Sequence, residues 1–249
     1  MVKRENEALE LALKNYRKGS LRQYIQYQNL MASIYYTFEQ FKKTNTIYLE
    51  NIRTLQNKPA EYDYLLADQY SSYAQFLNAY SGQDSAFVYL RKAEAIYRNH
   101  RHTEADLANL YMIMADSYSR KNINSSSLTG FQTEKNKDLI KAAELYFKAF
   151  KILNEPQELS AIDFSKVKNS NYPVPTLKIL QKLGETYQQM ASLAENGDLK
   201  IKTDYLTRAV GCFATGSDLT EFLRTGFISE ESKLQFTEIQ QRSEERRVG

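Results

Sequence analysis

Two histidines and one cysteine are the residues of this chain that most often serve as metal ligands or nucleophiles. His100 and His102 lie in the segment NHRHTE, directly before Thr103, which we expect to cap a helix. Residues two apart do not share a helix face, and no cysteine or carboxylate cluster lies beside them to complete a ligand set. We therefore expect a surface or capping role for both histidines.

The single cysteine has apolar neighbours. Cys212 follows Val210 and precedes Phe213 and Ala214, a setting typical of a small buried hydrophobic residue. It would act as a nucleophile only if the fold brought it to one of the two histidines, and nothing in the local sequence indicates that arrangement.

The other motifs whose residue types could bind a ligand or take part in a reaction are better explained as ordinary surface features. The scattered glycines form no phosphate-binding loop of the Walker or Rossmann type. Three adjacent charged pairs are typical of solvated helix surface: Glu230–Glu231, Glu244–Glu245 and Lys42–Lys43. We predict that this chain is not an enzyme and has no catalytic residue, no metal site and no cofactor.

The composition indicates long helices with few turns. Hydrophobic residues make up 42% of the 249 residues and charged residues 25%, which supports a buried core and excludes wholesale disorder. Only 9 glycines and 4 prolines are present, too few for a many-stranded sandwich or barrel. The net charge of +3 is too small for an electrostatic nucleic-acid binder.

The expected cellular location rests on two kinds of segment that the sequence does not contain. No run approaches the roughly 18 apolar residues of a membrane span, and the N-terminal segment MVKRENEALE lacks the apolar stretch of a secretory signal. We expect no membrane partner and a cytoplasmic location, provided that Met1 is the true start.

Apolar residues recur at spacings of three and four, the pattern of amphipathic helices, and no segment shows the alternation of a strand. The pattern predicts helices at about 3–18, 21–43, 45–57, 60–80, 84–99, 103–121, 137–154, 175–195, 199–214, 217–224 and 230–241.

These helices carry a repeated pattern of aromatic, small and aliphatic residues. Its first copy consists of Tyr70, Tyr73, Ala74, Leu77, Ala86, Leu90 and Ala93. The second consists of Tyr111, Met114, Ala115, Tyr118, Ala142, Tyr146 and Ala149, and the third of Leu180, Leu183, Gly184, Tyr187, Leu206 and Ala209. We expect the small residues Ala74, Ala86, Ala93 and Gly184 to lie where helices cross most closely.

The pattern resembles the tetratricopeptide repeat (TPR), a two-helix unit of about 34 residues. The resemblance implies an all-α fold in which antiparallel helical hairpins stack into a right-handed superhelix, an α-solenoid. Residues 1–58 would hold N-terminal helices with one degenerate repeat. Residues 59–215 would hold three TPR-like repeats with loop insertions at 121–135 and 155–175, and residues 216–241 would form transition or capping helices.

In such an array the first helix of each repeat lines a concave surface. Transferring the TPR pattern position by position gives a partner-binding face of mixed polarity: Asp68, Ser71, Gln75, Asn78, Asn109, Met112, Asp116, Arg120, Lys178, Gln181, Glu185 and Gln188. The face lacks the Lys/Arg cluster with which chaperone-binding TPR domains hold a peptide carboxylate. The expected partner is a protein or peptide, and a downstream domain of the same chain is one candidate.

Residues 217–240 (SDLTEFLRTGFISEESKLQFTEIQ) resemble the segment upstream of the caspase-like domain in bacterial CHAT proteins, which are TPR arrays fused to a Cys–His protease. In that family a helix ending in Leu-Arg precedes a short aromatic segment and then Ser-Lys. Here Leu223-Arg224, Phe227-Ile228 and Ser232-Lys233 occupy those positions. The resemblance implies that the catalytic His and Cys would lie downstream.

Residues 242–249 (RSEERRVG) resemble the in-frame translation of a common short-read sequencing adapter, as in a metagenomic fragment. We therefore expect this tail to be an artefact and the natural chain to continue beyond Gln241. Without a further cap, Leu234 and Phe236 would be exposed.

The sequence thus predicts a non-catalytic protein-interaction scaffold, the TPR regulatory arm of a larger bacterial protein of CHAT type. Two alternatives stay open. The array could precede a DNA-binding or histidine-kinase signalling domain, or the chain could be a self-contained helical ligand-binding protein with a deep closed cavity.

Overall fold

The computed structural model describes residues 20–80, 83–100, 104–120, 128–154, 167, 170–194 and 199–226. In these ranges the chain is all-α, with eight α-helices, one short 3₁₀ helix (Ala60–Tyr62) and no strand. The helices are α1 (Leu21–Thr37), α2 (Phe41–Gln56), α3 (Asp63–Tyr80), α4 (Gln83–Asn99), α5 (Glu104–Ser119), α6 (Leu128–Leu153), α7 (Pro173–Leu193) and α8 (Leu199–Gly226).

Several predictions fall outside these ranges. They concern the helices at 3–18 and 230–241, the exposure of Leu234 and Phe236, and the tail 242–249.

The chain divides into two compact units, Met1–Arg101 and His102–Gly249. In the first unit α1 packs on α2, α2 on α3, and α3 on α4. In the second unit α5 packs on α6, α6 on α7, and α7 on α8, while α5 also touches α7. Each unit is therefore built mainly from helices that are neighbours in sequence, as short links between amphipathic helices favour.

The turn between α1 and α2 lies earlier than predicted, so the helix predicted at 21–43 is wrong at its end. α1 ends at Thr37, and Glu39 has a positive φ of 58°. The Gln40 N–H donates to the Tyr35 carbonyl at 2.8 Å, which closes the last turn of α1. A left-handed residue commonly ends a helix, but it is usually glycine or asparagine, so a glutamate there gave no signal in the sequence.

The loop predicted at 121–135 is wrong in its last part, because α6 begins at Leu128. Leu128 and Phe131 continue the three-residue apolar spacing of the helix despite the glycine between them. The insertion predicted to reach residue 175 also ends sooner, since α7 begins at Pro173. A proline at the first helical position loses no hydrogen bond, because that N–H has no partner within the helix.

The two helices predicted at 199–214 and 217–224 form one continuous helix, α8. Gly216 lies inside it and is buried; a Cβ at this position would lie 3.4 Å from the Leu177 side chain of α7. The glycine here allows close helix contact and does not end the helix.

The small residues of the repeat pattern are buried between helices. Ala74, Ala86 and Ala93 have no exposed surface. Gly184 of α7 lies against the Phe213 ring of α8, and a Cβ on Gly184 would lie only 2.7 Å from that ring. A larger side chain at such a contact would have to separate the two helices.

A buried row of amides joins three helices of the first unit. The Asn51 side-chain amide of α2 donates to Asn29 Oδ1 of α1 and to Gln69 Oε1 of α3, both at 3.2 Å. Asn51 is 1% exposed and Gln69 0%, so an amide that lost its partner here would stay out of reach of water. The row therefore favours one register of α1, α2 and α3 over alternatives that apolar contacts alone would permit.

Two glycine substitutions test the helix contact between α7 and α8. We expect Gly184→Ala to lower the free energy of unfolding by about 1 to 3 kcal/mol, because its methyl group would clash with the buried Phe213 ring. Gly211→Ala is the matched control: nothing lies within 4 Å of its Cβ, so it should raise the free energy of unfolding by about 0.5 to 1 kcal/mol. Urea denaturation of both variants measures the difference, and equal effects would contradict the proposed contact.

The amide row predicts non-additive substitutions. Asn51→Leu should cost about 2 to 3 kcal/mol of stability, because the buried Gln69 loses its donor. Adding Gln69→Met should restore about 1 kcal/mol or more, since both polar partners are then gone. A double-mutant cycle by urea denaturation measures the coupling, and simple additivity would show that the two amides do not interact.

Candidate interaction surface

Eleven of the twelve residues predicted to bind a partner lie on α3 in the first unit and on α5 and α7 in the second, and Arg120 directly follows α5. Within each helix they recur at steps of three or four and so share one helix face. Eleven of the twelve are half-buried or exposed, and the exception is Ser71.

On α3, two of the predicted residues are engaged inside their own unit. Ser71 is buried and its hydroxyl donates to the Ala67 carbonyl at 3.0 Å, so it does not reach the surface. A serine that bonds back to its own helix in this way needs no outside partner. Asp68 accepts a hydrogen bond from the Tyr97 hydroxyl of α4 at 2.6 Å. The most accessible predicted side chain on α3 is Gln75, and Asn78 is half-buried.

In the second unit, two predicted carboxylates face Tyr146 of α6. The Tyr146 hydroxyl donates to Asp116 of α5. Burial raises the pKa of Tyr146 far above its usual value, and the charges of Asp116 and of Glu185 on α7 raise it further. Tyr146 therefore keeps its proton at physiological pH and acts as a fixed donor that orients Asp116.

Each of these carboxylates also has a basic neighbour one helical turn away. The Arg120 guanidinium lies 3.7 Å from Asp116, and the Lys182 ammonium lies 3.6 Å from Glu185. Both ion pairs are partly exposed, so they add little to the stability of the fold. Their side chains can therefore pair with charged groups of a partner. Lys182 is not among the predicted residues, although its position three residues before Glu185 was a usable signal. Tyr146 was predicted only as a member of the repeat pattern.

The remaining residues of this face point to solvent. Asn109 on α5, Arg120 directly after it, and Lys178 and Gln188 on α7 are exposed, while Met112 and Gln181 are half-buried. The opposite sides of both helices are packed in the core through Leu110, Leu177 and Leu180, each at most 1% exposed. The α5–α7 face thus presents amides and charges of both signs on helices held by tight packing, which suits hydrogen bonding to a polar partner.

The candidate nucleophile is poorly placed for chemistry. Cys212 is 2% exposed, and burial raises the pKa of its thiol to about 12. The reactive thiolate is therefore scarce at neutral pH. The nearby Arg208 is engaged by other groups: its guanidinium pairs with Asp204 and lies over the Tyr187 ring.

The histidines and charged pairs give no chemical site within the described part of the chain. His100 is exposed at the end of α4, where its backbone N–H donates to the Tyr97 carbonyl at 3.2 Å. His102 and both glutamate pairs lie outside the described residues. Among the residues that are described, no three His, Cys, Asp or Glu side chains are grouped so that they could hold a metal ion. None of the described helices has the length and apolar character needed to cross a membrane.

Comparison with known proteins adds little. No family model matches the chain, and no curated protein matches its sequence. The solved structures similar to it include BtubC (BKLC) from P. vanneervenii, which is 15% identical over 92% of this chain and 94% of its own, with a TM-score of 0.45. A second, the DHF58 filament, is also 15% identical and covers 98% of this chain and 89% of its own, with a TM-score of 0.25. Likenesses of this strength carry no inference about function.

The state of Cys212 can be measured directly, because it is the only cysteine. At pH 8 we expect alkylation by iodoacetamide to be about a hundredfold or more slower in the native chain than in concentrated urea, since burial removes both access and thiolate. Mass spectrometry over time measures the rate. Similar rates in the two conditions would mean that Cys212 is accessible and available for chemistry.

Proposed function

We propose that this chain is a non-catalytic protein-interaction scaffold of the TPR type. In this proposal its antiparallel helical hairpins stack as a right-handed α-solenoid, and it forms the regulatory arm of a larger bacterial protein of CHAT type. The single observation that carries the scaffold function is the α5–α7 face, where exposed polar side chains stand on two adjoining helices whose other sides are buried. Rigid helices that present polar side chains lose little entropy on binding.

The packing of the repeat pattern supports the TPR assignment. The alanines of the pattern are at most 3% exposed, and its aromatic residues Tyr111 and Tyr146 are each 1% exposed. A TPR unit needs small residues at its helix crossings and aromatic residues beside them, and the chain supplies both in successive hairpins.

Two features support a regulatory arm in place of an enzyme. The cysteine is buried and the pKa of its thiol is raised, whereas a nucleophilic cysteine needs an accessible thiol with a lowered pKa. At the other end, α8 ends at Gly226, two residues after Leu223-Arg224, which fits the helix that ends in Leu-Arg ahead of the protease in CHAT proteins. The catalytic domain would lie downstream, and the partner of the α5–α7 face would be that domain or another protein.

A single experiment tests the regulatory-arm proposal. Long-read sequencing of the source locus across Gln241 should show that the frame continues into a domain with a catalytic His and Cys. A stop codon directly after Gly249 in genomic reads would contradict the CHAT assignment.

If the frame continues, isothermal titration calorimetry can test the face itself. We expect the chain to bind the separately expressed downstream domain, and the combined variant Lys178→Ala, Gln181→Ala, Gln188→Ala to bind about tenfold or more weakly. The matched control is Lys200→Ala, Thr203→Ala, Thr207→Ala on the exposed surface of α8, which should leave the affinity unchanged. Equal affinities for the two triple variants would show that α7 does not contact the domain.

A further inference from the structure

The first unit carries a groove of about 450 Å³ between α2, α3 and α4. We call it the aromatic groove, because three tyrosines line it. It is lined by Lys42, Asn45, Tyr73, Leu77, Tyr80, Ser85, Val88 and Tyr89. None of these residues belongs to the predicted partner-binding face, so the groove is a separate surface.

The walls of the aromatic groove are held in place by contacts behind them. The Tyr73 hydroxyl donates to Asn45 Oδ1 at 2.7 Å, and the Tyr73 and Tyr89 rings meet edge to face with centroids 4.7 Å apart. Tyr80 stacks on Phe76, with ring centroids 5.2 Å apart, and also contacts Phe41 at 4.9 Å. Rings fixed in this way offer apolar area to a ligand without first having to be ordered.

The rim of the groove exposes large apolar side chains. Val88 is 53% exposed and Tyr80 is 47% exposed. Single exposed apolar residues are common on protein surfaces. Two of them on one groove lined by rings mark a surface whose burial by a ligand would lower the free energy.

One charged residue, Lys42, is among the described residues that line the aromatic groove. Lys42 lines the aromatic groove and also a second hollow of about 320 Å³, which Lys43 and Tyr35 line as well. The Lys92 ammonium, which is not among the lining residues, lies 5.3 Å from the centroid of the Tyr89 ring. No carboxylate is among the described residues that line either hollow, so Lys42 favours a ligand with negative charge over a cationic one.

We infer that the aromatic groove binds an acidic peptide segment of a partner protein, in which an aspartate or glutamate lies next to a bulky apolar residue. The apolar side chain packs between Tyr73, Tyr80 and Val88, while the Lys42 ammonium pairs with the carboxylate. Ser85 and the Asn45 amide are placed to bond the peptide backbone. The chain thus has a second binding surface, which differs from the α5–α7 face in chemistry and in location.

Selection from a random peptide library tests this inference, and the natural partner need not be identified first. Twelve-residue peptides displayed on phage are selected on the immobilised full chain and depleted on its Val88→Asp variant, whose new carboxylate repels acidic ligands. We expect the enriched peptides to carry Asp or Glu within two positions of Leu, Ile or Phe. Enrichment of neutral proline-rich or of basic peptides would overturn the inference, and so would a selection that yields no enriched set.

Calorimetry with one enriched synthetic peptide then assigns the site. Lys42→Glu and Val88→Asp should each weaken binding about tenfold or more, because they reverse the charge or block the apolar contact. The matched controls are Lys58→Glu and Leu30→Asp, exposed positions of the same unit that line neither hollow, and circular dichroism confirms the fold of all four. If the controls weaken binding as much as the groove variants do, the peptide binds elsewhere and the inference fails.

Discussion

The structure depends on close helix contacts that are made at alanine and glycine residues. Ala74 and Ala93 in the first unit and Ala115 and Ala149 in the second have no exposed surface, and Gly184 lies under a phenylalanine ring. Close approach of the backbones lets the flanking tyrosines and leucines fill the remaining space, because dispersion attraction is lost quickly as a gap opens. The α5–α7 face is held in position by contacts of this kind.

The packed helices present two surfaces of different chemistry, the α5–α7 face and the aromatic groove. On α5 and α7, burial is confined to the inner side, so Asn109, Lys178 and their neighbours remain accessible on rigid helices. Between α2, α3 and α4, tyrosines held by ring contacts and by the Tyr73–Asn45 hydrogen bond leave an open groove that Lys42 lines. The first surface suits a polar partner, and the second suits a segment that is both apolar and acidic.

The sequence predicted the helical class and the small contact residues because both depend on periodicity and residue size, which are local properties. It misplaced the turn at Glu39, since a left-handed glutamate follows no propensity rule, and it broke α8 at Gly216, where glycine serves packing. The engagement of Asp68 by Tyr97 and the aromatic groove depend on side chains from different helices. Spacing along one helix cannot reveal contacts of this kind.

Hydrogen–deuterium exchange of the free chain tests most directly whether the proposed binding helices are rigid before any partner arrives. Our account predicts that backbone amides of α5 near Ala115 and of α7 near Gly184 exchange about a thousandfold or more slowly than in an unstructured peptide, because they open only when the packing is lost. Exchange of these amides within seconds, at the rate of unstructured peptides, would contradict it. The two helices would then become ordered only on binding, and the tight contacts would not hold the surface in place.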